Sequence, residues 1–337
     1  MSDTGCLPGK TWRAIGTGHA RASDGDRLAM SIIAEVERQL AGARRREQED
    51  AVPELRASTM THVVWAPPEW LARAHRVLAG LEDRHPARTI LLVPKPTGVA
   101  KVTAKVVVRD FDGADGREVL SEVVEFRLHG ASARHPGSLV LPLLISDLPA
   151  FCRWRGEPPW GGEALAELVA ACDRLVVDSS EWPAPARRYG RLAGLFDRIA
   201  VSDLAWRRGL PSRIALAGLW PGIRRAEHLV VEGPEADAEL LAGWLRSRLH
   251  RPIRLTRHKA GRLLGMTLDG ERIAIAAGPR PSPSELLSAE LDTLLRDPVY
   301  EEAVLAVSRA GRGAARGGAR STTPRSPRRS GQPPRRR

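Results

Sequence analysis

The chain of 337 residues has little of several things that would announce a chemistry. Its three cysteines, Cys6, Cys152 and Cys172, are widely spaced, which fits neither a secreted disulfide framework nor a zinc site with paired ligands. A reducing compartment follows, and the protein is expected to be cytoplasmic. None of the nine histidines forms an HExxH-type pair on one helical face, so no metal and no cofactor is assigned. No run approaches the roughly 18–20 apolar residues of a membrane span, and Met1–Gly5 does not open a basic-then-apolar leader. Gly5–Thr11 has three residues between its glycines where a phosphate loop needs four, with no strand before it; Gly16–His19 lacks the third glycine of a dinucleotide fold. Tyrosine and phenylalanine are scarce, two and four, against nine tryptophans. Tryptophan is enriched at the energetic centres of interfaces, although cores use it too.

What is present is an apolar body with a basic end. Hydrophobic residues make up 42% of the chain, enough to fill the core of one large domain or two ordinary ones. Net charge is +12, but Arg309–Arg337 holds ten arginines and no Asp, Glu or Lys, which leaves 42 basic against 40 acidic residues in 1–308. The excess charge belongs to the tail. That tail has almost nothing to bury, so residues 309–337 are expected to be disordered, with at most weak polyanion binding, since no aromatic residue is there for bases to stack on. Residues 1–25 are likewise expected to be disordered.

Between these ends, strand and helix patterns alternate, which predicts an α/β class built of βαβ units with a mixed sheet. A helix is expected from Arg27 through Leu40, a strand over Thr61–Ala66, a helix after Pro67-Pro68 and a strand over Arg88–Val93. Lys101–Arg109 alternates in period two and, with Val124–Leu128, predicts a hairpin across Asp112–Gly116. An apolar helix or turn over Ser138–Leu144 and a strand over Ala150–Trp154 lead to Glu157–Gly162, the best internal boundary by composition. It divides an expected N-terminal domain, 27–160, from a C-terminal one, 163–308. Helices over Arg187–Arg198, Arg213–Leu219, Leu286–Leu295 and Val299–Val307, and short strands over Ile253–Thr256, Leu263–Leu268 and Arg272–Ala276, complete the second.

The most informative stretch is 139–206. Three apolar runs, Leu143–Asp147, Leu175–Ser180 and Ile199–Asp203, each end in a Ser/Asp pair. Such runs read as buried strands, and a carboxylate just past one lies at the strand's carboxyl end or opens the next helix. That is the edge at which open α/β sheets bind ligands. Asp147, Asp178 and Asp203 could therefore work as acids and bases or contact a sugar phosphate or nucleotide; each is also a good helix N-cap or turn former, and no nucleophile, metal cluster or phosphate loop accompanies them. Cys152 on a strand and Cys172 on the next helix read as buried, inert thiols, the alternative being a redox pair, which requires Cα atoms within about 7 Å.

Leu141–Pro159, Asp173–Ser179, Asp203–Arg208 and, upstream, His85–Val93 resemble blocks of the OpcA family, the glucose-6-phosphate dehydrogenase assembly proteins, in order and spacing, over roughly residues 27–300. The resemblance implies a non-catalytic partner that promotes assembly and activity of that dehydrogenase, an allosteric activator at the entry to the oxidative pentose phosphate pathway. It departs from the family pattern at Arg153-Trp154, where members usually carry two tryptophans, and at Pro211-Ser212-Arg213, where Pro-Trp-Arg is usual. From these blocks Trp154, Arg155, Asp178, Ser179, Asp203, Trp206 and Arg207 are the candidate partner contacts, expected as exposed Trp and Arg side chains near strand ends. Redox control through cysteines, present in some members, is not obviously reproduced by Cys152 and Cys172.

Overall fold

A computed structural model describes residues 13–21, 25–50, 58–81, 84–112, 118–276 and 278–318. Strands β1 (Arg13–Arg21), β2 (Met60–Trp65), β3 (Ala87–Lys95), β4 (Lys101–Asp112), β5 (Glu118–His129), β6 (Ala150–Trp154), β7 (Arg174–Val177) and β8 (Ala200–Asp203) form one sheet in the order β1-β4-β5-β3-β2-β6-β7-β8. From β5 to β8 neighbours are parallel; β4 pairs antiparallel with both β5 and β1. The sheet is mixed, as expected.

Period-two alternation decides which core each strand residue enters. Val63, Trp65, Ile90, Leu92, Cys152, Trp154, Leu175 and Val177 face a core shared with helices α1 (Gly25–Asp50), α3 (Gly137–Val140), α4 (Glu163–Ala171) and α5 (Tyr189–Ala193). Their neighbours Val64, Leu91, Val93, Phe151 and Val176 face the other side, against α2 (Pro68–Ala79) and the first residue of α6 (Leu204–Arg208). Strands buried on both faces read as continuous apolar runs, which is why Ile90–Val93 shows no alternation.

After α7 (Leu210–Ala217) the chain builds a smaller sheet, β10-β9-β11-β12, from β9 (His228–Gly233), β10 (Arg254–Lys259), β11 (Gly265–Leu268) and β12 (Glu271–Arg272). Helix α8 (Glu235–Leu249) crosses between the parallel strands β9 and β10. Then α9 (Pro283–Leu291) returns to the α2 side and α10 (Pro298–Gly318) to the α5 side, where Tyr300, Ala303, Val304 and Val307 complete the larger core. The two ends of the chain are thus interleaved around one sheet.

Several expectations are corrected. Residues 13–21, read as part of a disordered N-terminus, pair with β4 as an edge strand; 1–12 lie outside the described residues. The helix or turn expected over Ser138–Leu144 is found as α3 and the 3₁₀ turn Leu141–Leu143, so the run Leu143–Asp147 is not a strand; a run this short does not by itself distinguish a buried helical segment from one. The strand over Arg272–Ala276 shrinks to Glu271–Arg272, and the helix over Arg187–Arg198 to Tyr189–Ala193. The boundary expected at 157–162 falls inside the large sheet, between β6 and α4, since β7 continues the pairing of β6. Helix α10 runs through the first ten residues of the expected tail, to Gly318; 319–337 lie outside the described residues. No helix among the described residues is long and apolar enough to cross a membrane.

Candidate functional site

Because β6, β7 and β8 are parallel, Trp154, Asp178 and Asp203 emerge at one edge of the sheet. Asp147 does not. It precedes β6, in a turn with φ of 65°, at the opposite edge, so the three carboxylates do not converge.

Asp178 and Asp203 are N-caps. The Asp178 carboxylate accepts from Ser180 N–H at 3.1 Å, opening the turn Ser179–Glu181, and Asp203 Oδ1 accepts from Ala205 N–H at 2.9 Å, opening α6. Asp203 Oδ1 also accepts from Ser179 N–H at 3.0 Å, and Oδ2 from Tyr300 Oη at 3.4 Å, so one carboxylate joins β7, β8 and α10. Burial, and then the charge of Asp178, push Asp203 up to about 7. Burial acts the same way on Asp178, but Arg208, with Nη2 3.2 Å from Oδ1, and Arg153 overcome it and hold that carboxyl below its ordinary value. Ser179 is fully buried, its hydroxyl 2.8 Å from Tyr189 Oη.

The tryptophans expected as exposed contacts are interior. Trp154 is 1% exposed and stacks on Trp65, its register partner on β2, with centroids 4.6 Å apart. Trp206 is 7% exposed; its Nε1–H donates to Asp297 at 2.8 Å and the Arg213 guanidinium lies 3.4 Å from the ring centroid. Arg155 is also buried, over the Trp70 ring at 4.9 Å and 3.1 Å from Glu181; burial, reinforced by Arg153, lowers it to about 10. Glu181 gathers this corner, accepting from Arg153 at 2.9 Å and from Gly156 N–H at 2.7 Å. Arg207 alone of the seven keeps a side chain more than a third exposed, 37%, with Nη2 donating to Ala289 O at 3.2 Å. Arg153 and Ser212, where the chain departs from the family pattern, are both 1% exposed.

Cys152 and Cys172 are buried neighbours with free thiols. Contact with Cys172, and then burial, push the Cys152 thiol well above its ordinary value, the opposite of an activated thiolate.

Two surface features escaped the sequence reading in whole or in part. The first is an apolar face formed by α7 and the turn after it: Leu210, Ile214, Leu219 and Trp220 are 42%, 63%, 40% and 62% exposed, with the Arg224 guanidinium 5.5 Å from the Trp220 ring centroid. The spacing of Leu210 and Ile214 was a visible helical signal that did not say which way the face points. The second is a cleft of about 1050 Å³, bordered by the segments that follow β7, β8, β9 and β10 and lined by Ser180, Arg208, Ser212, Asp237, Arg262 and Arg280 among others. Arg208 stands between Asp178 and Asp237, and both carboxylates raise it against the effect of burial.

Residues 78–194 match the OpcA glucose-6-phosphate dehydrogenase assembly family, whose description is the glucose-6-phosphate dehydrogenase subunit N-terminal domain. That stretch is thus similar to an OpcA-family domain. Proteins named OxPP cycle protein OpcA agree with it: that of Nostoc punctiforme is 27% identical over 188 residues, 52% of this chain and 40% of the relative. That of Synechococcus elongatus is 25% identical over 181 residues, 50% of this chain and 41% of the relative, and that of Synechocystis 25% over 141, or 39% and 30%. The matched region spans about two fifths of the length of the first two relatives. The matched segment runs from the end of α2 through α5, and holds β3 to β7.

Proposed function

We propose that the chain is a non-catalytic assembly factor of glucose-6-phosphate dehydrogenase, acting by protein–protein binding in the cytoplasm and raising activity in the oxidative pentose phosphate pathway. The observation that carries this reading is the OpcA-family match over 78–194, supported by relatives named for the OxPP cycle. An effector shifts its partner toward an active state by as much as it prefers that state, so activation here is preferential affinity for the active dehydrogenase.

The exposed face of α7, with Trp220 backed by Arg224, is the docking surface in this reading; exposed apolar patches with tryptophan and arginine are where interface energy concentrates. Arg207, on the preceding helix α6, reaches instead to Ala289 O and Glu290 of α9. Trp206 supports the α7 face from beneath through Arg213 of α7, and Asp203 caps α6; Trp154, Arg155, Asp178 and Ser179 hold the neighbouring strand ends and turn.

The test is co-purification of the tagged chain with the dehydrogenase of the same organism, followed by dehydrogenase assay with and without it. Binding with raised activity is expected. Ile214→Asp and Trp220→Ala should each weaken binding by tenfold or more, about 1.4 kcal/mol or above, with thermal stability nearly unchanged. A folded chain that neither binds nor activates the enzyme refutes the assembly role.

A further inference from the structure

The cleft lies between the two sheets. Open α/β sheets bind ligands beyond the carboxyl ends of their strands, and here two such edges, that of β7 and β8 and that of β9 and β10, border one opening. At about 1050 Å³ it is at the upper end of the range for small-molecule sites.

Its charges are divided by role. Arg208 is already engaged, 3.2 Å from Asp178 and 3.0 Å from Ser180 Oγ. Arg262, on the loop between β10 and β11, and Arg280, on the segment leading to α9, are exposed on the lining and have no carboxylate partner among the described residues. Two unneutralised guanidiniums suit a phosphate. The second observation is Asp237. It is 4% exposed and lines the same cleft, yet its Oδ1 accepts no hydrogen bond: the nearest cation, Arg208 Nη2, stands at 3.6 Å, beyond hydrogen-bond length. Oδ1 is closed off and held only by that long ion pair, while Oδ2 has no hydrogen bond among the described residues, so the carboxylate keeps acceptor capacity for a hydroxyl in the cleft.

We propose that the cleft binds a small phosphate ester carrying free hydroxyl groups, the phosphate held by Arg262 and Arg280 and one hydroxyl donated to Asp237. Sugar phosphates and nucleotides share this chemistry. Neither the phosphate alone nor the polyol alone uses both halves of the site.

Calorimetric titration of the full chain, with no dehydrogenase present, tests this apart from the assembly role. The probes are glucose 6-phosphate, adenosine 5′-monophosphate, glucose and inorganic phosphate. At least one ester should bind, with glucose and inorganic phosphate each tenfold or more weaker; which ester binds separates the two sources. The double variant Arg262→Glu, Arg280→Glu alters exposed positions, should keep its melting temperature, and should weaken the ester tenfold or more. Asp237→Asn should weaken the ester without weakening inorganic phosphate. The proposal is overturned if neither ester binds at millimolar concentration, if inorganic phosphate binds as tightly as the esters, or if the double arginine variant binds unchanged.

Discussion

Asp203 is a carboxylate placed where ionisation is expensive, and that cost has a sign. Its folded value of about 7 lies above its ordinary value of 3.8. Between those values the unfolded chain releases the proton and the folded chain keeps it, so stability falls as pH rises from about 4 to about 7 and the loss is complete above that. Asp203→Asn removes the titration and keeps an oxygen for Ser179 and Ala205 N–H. Urea unfolding across pH should therefore show wild type losing ground to the variant through this window, with a slope approaching about 1.4 kcal/mol per pH unit, and a flat difference above pH 8. The capping role of Asp178 and Asp203 was readable because a carboxylate after a short apolar run has few other local uses. The burial of Trp154 and Trp206 was not. Tryptophan serves cores and interfaces alike, and the pairing of Trp154 with Trp65 depends on a register between strand residues 89 apart that local patterning does not contain.

At the scale of elements, α8 and α10 meet through a glycine. A Cβ at Gly243 would stand 2.5 Å from Ala303 O and 2.6 Å from Val307 Cγ2, backbone and packed side chain that have little freedom to retreat. Gly243→Ala should therefore destabilise the chain by about 1–2 kcal/mol, the clash exceeding the roughly 1 kcal/mol that alanine gains in helix propensity, as read from the denaturation midpoint. The parallel strands β3, β6 and β7 were legible as apolar runs bounded by turn residues. The edge strand β1 was not, since Arg13–Arg21 is rich in glycine and polar residues and its pairing is supplied by β4. The α7 face was missed for a related reason: helical spacing shows that Leu210 and Ile214 share a side, and tertiary packing alone decides whether that side is covered.

For the whole molecule, the α/β class followed from alternating patterns, but composition placed a boundary at 157–162 where the sheet has none. Proline and glycine mark a tight connection as readily as a linker. The cleft was legible only in part: Asp178 marked the correct sheet edge, while Arg262 and Arg280 come from segments whose approach to it is purely tertiary. The order of the sheet carries a consequence for any attempt to dissect the protein. Strand β2, residues 60–65, lies between β3 and β6, and β8 follows at 200–203. The region that matches a family model, 78–194, therefore omits a central strand and leaves β3 and β6 with open hydrogen-bonding edges. Expressed alone, that region should recruit other copies of itself and sediment as aggregate, whereas a piece starting before Met60 and ending after α10 should remain dispersed. The matched region and the folding unit of this chain have different limits, and on a ribosome the sheet could not be closed by α10 until residues beyond 300 had emerged.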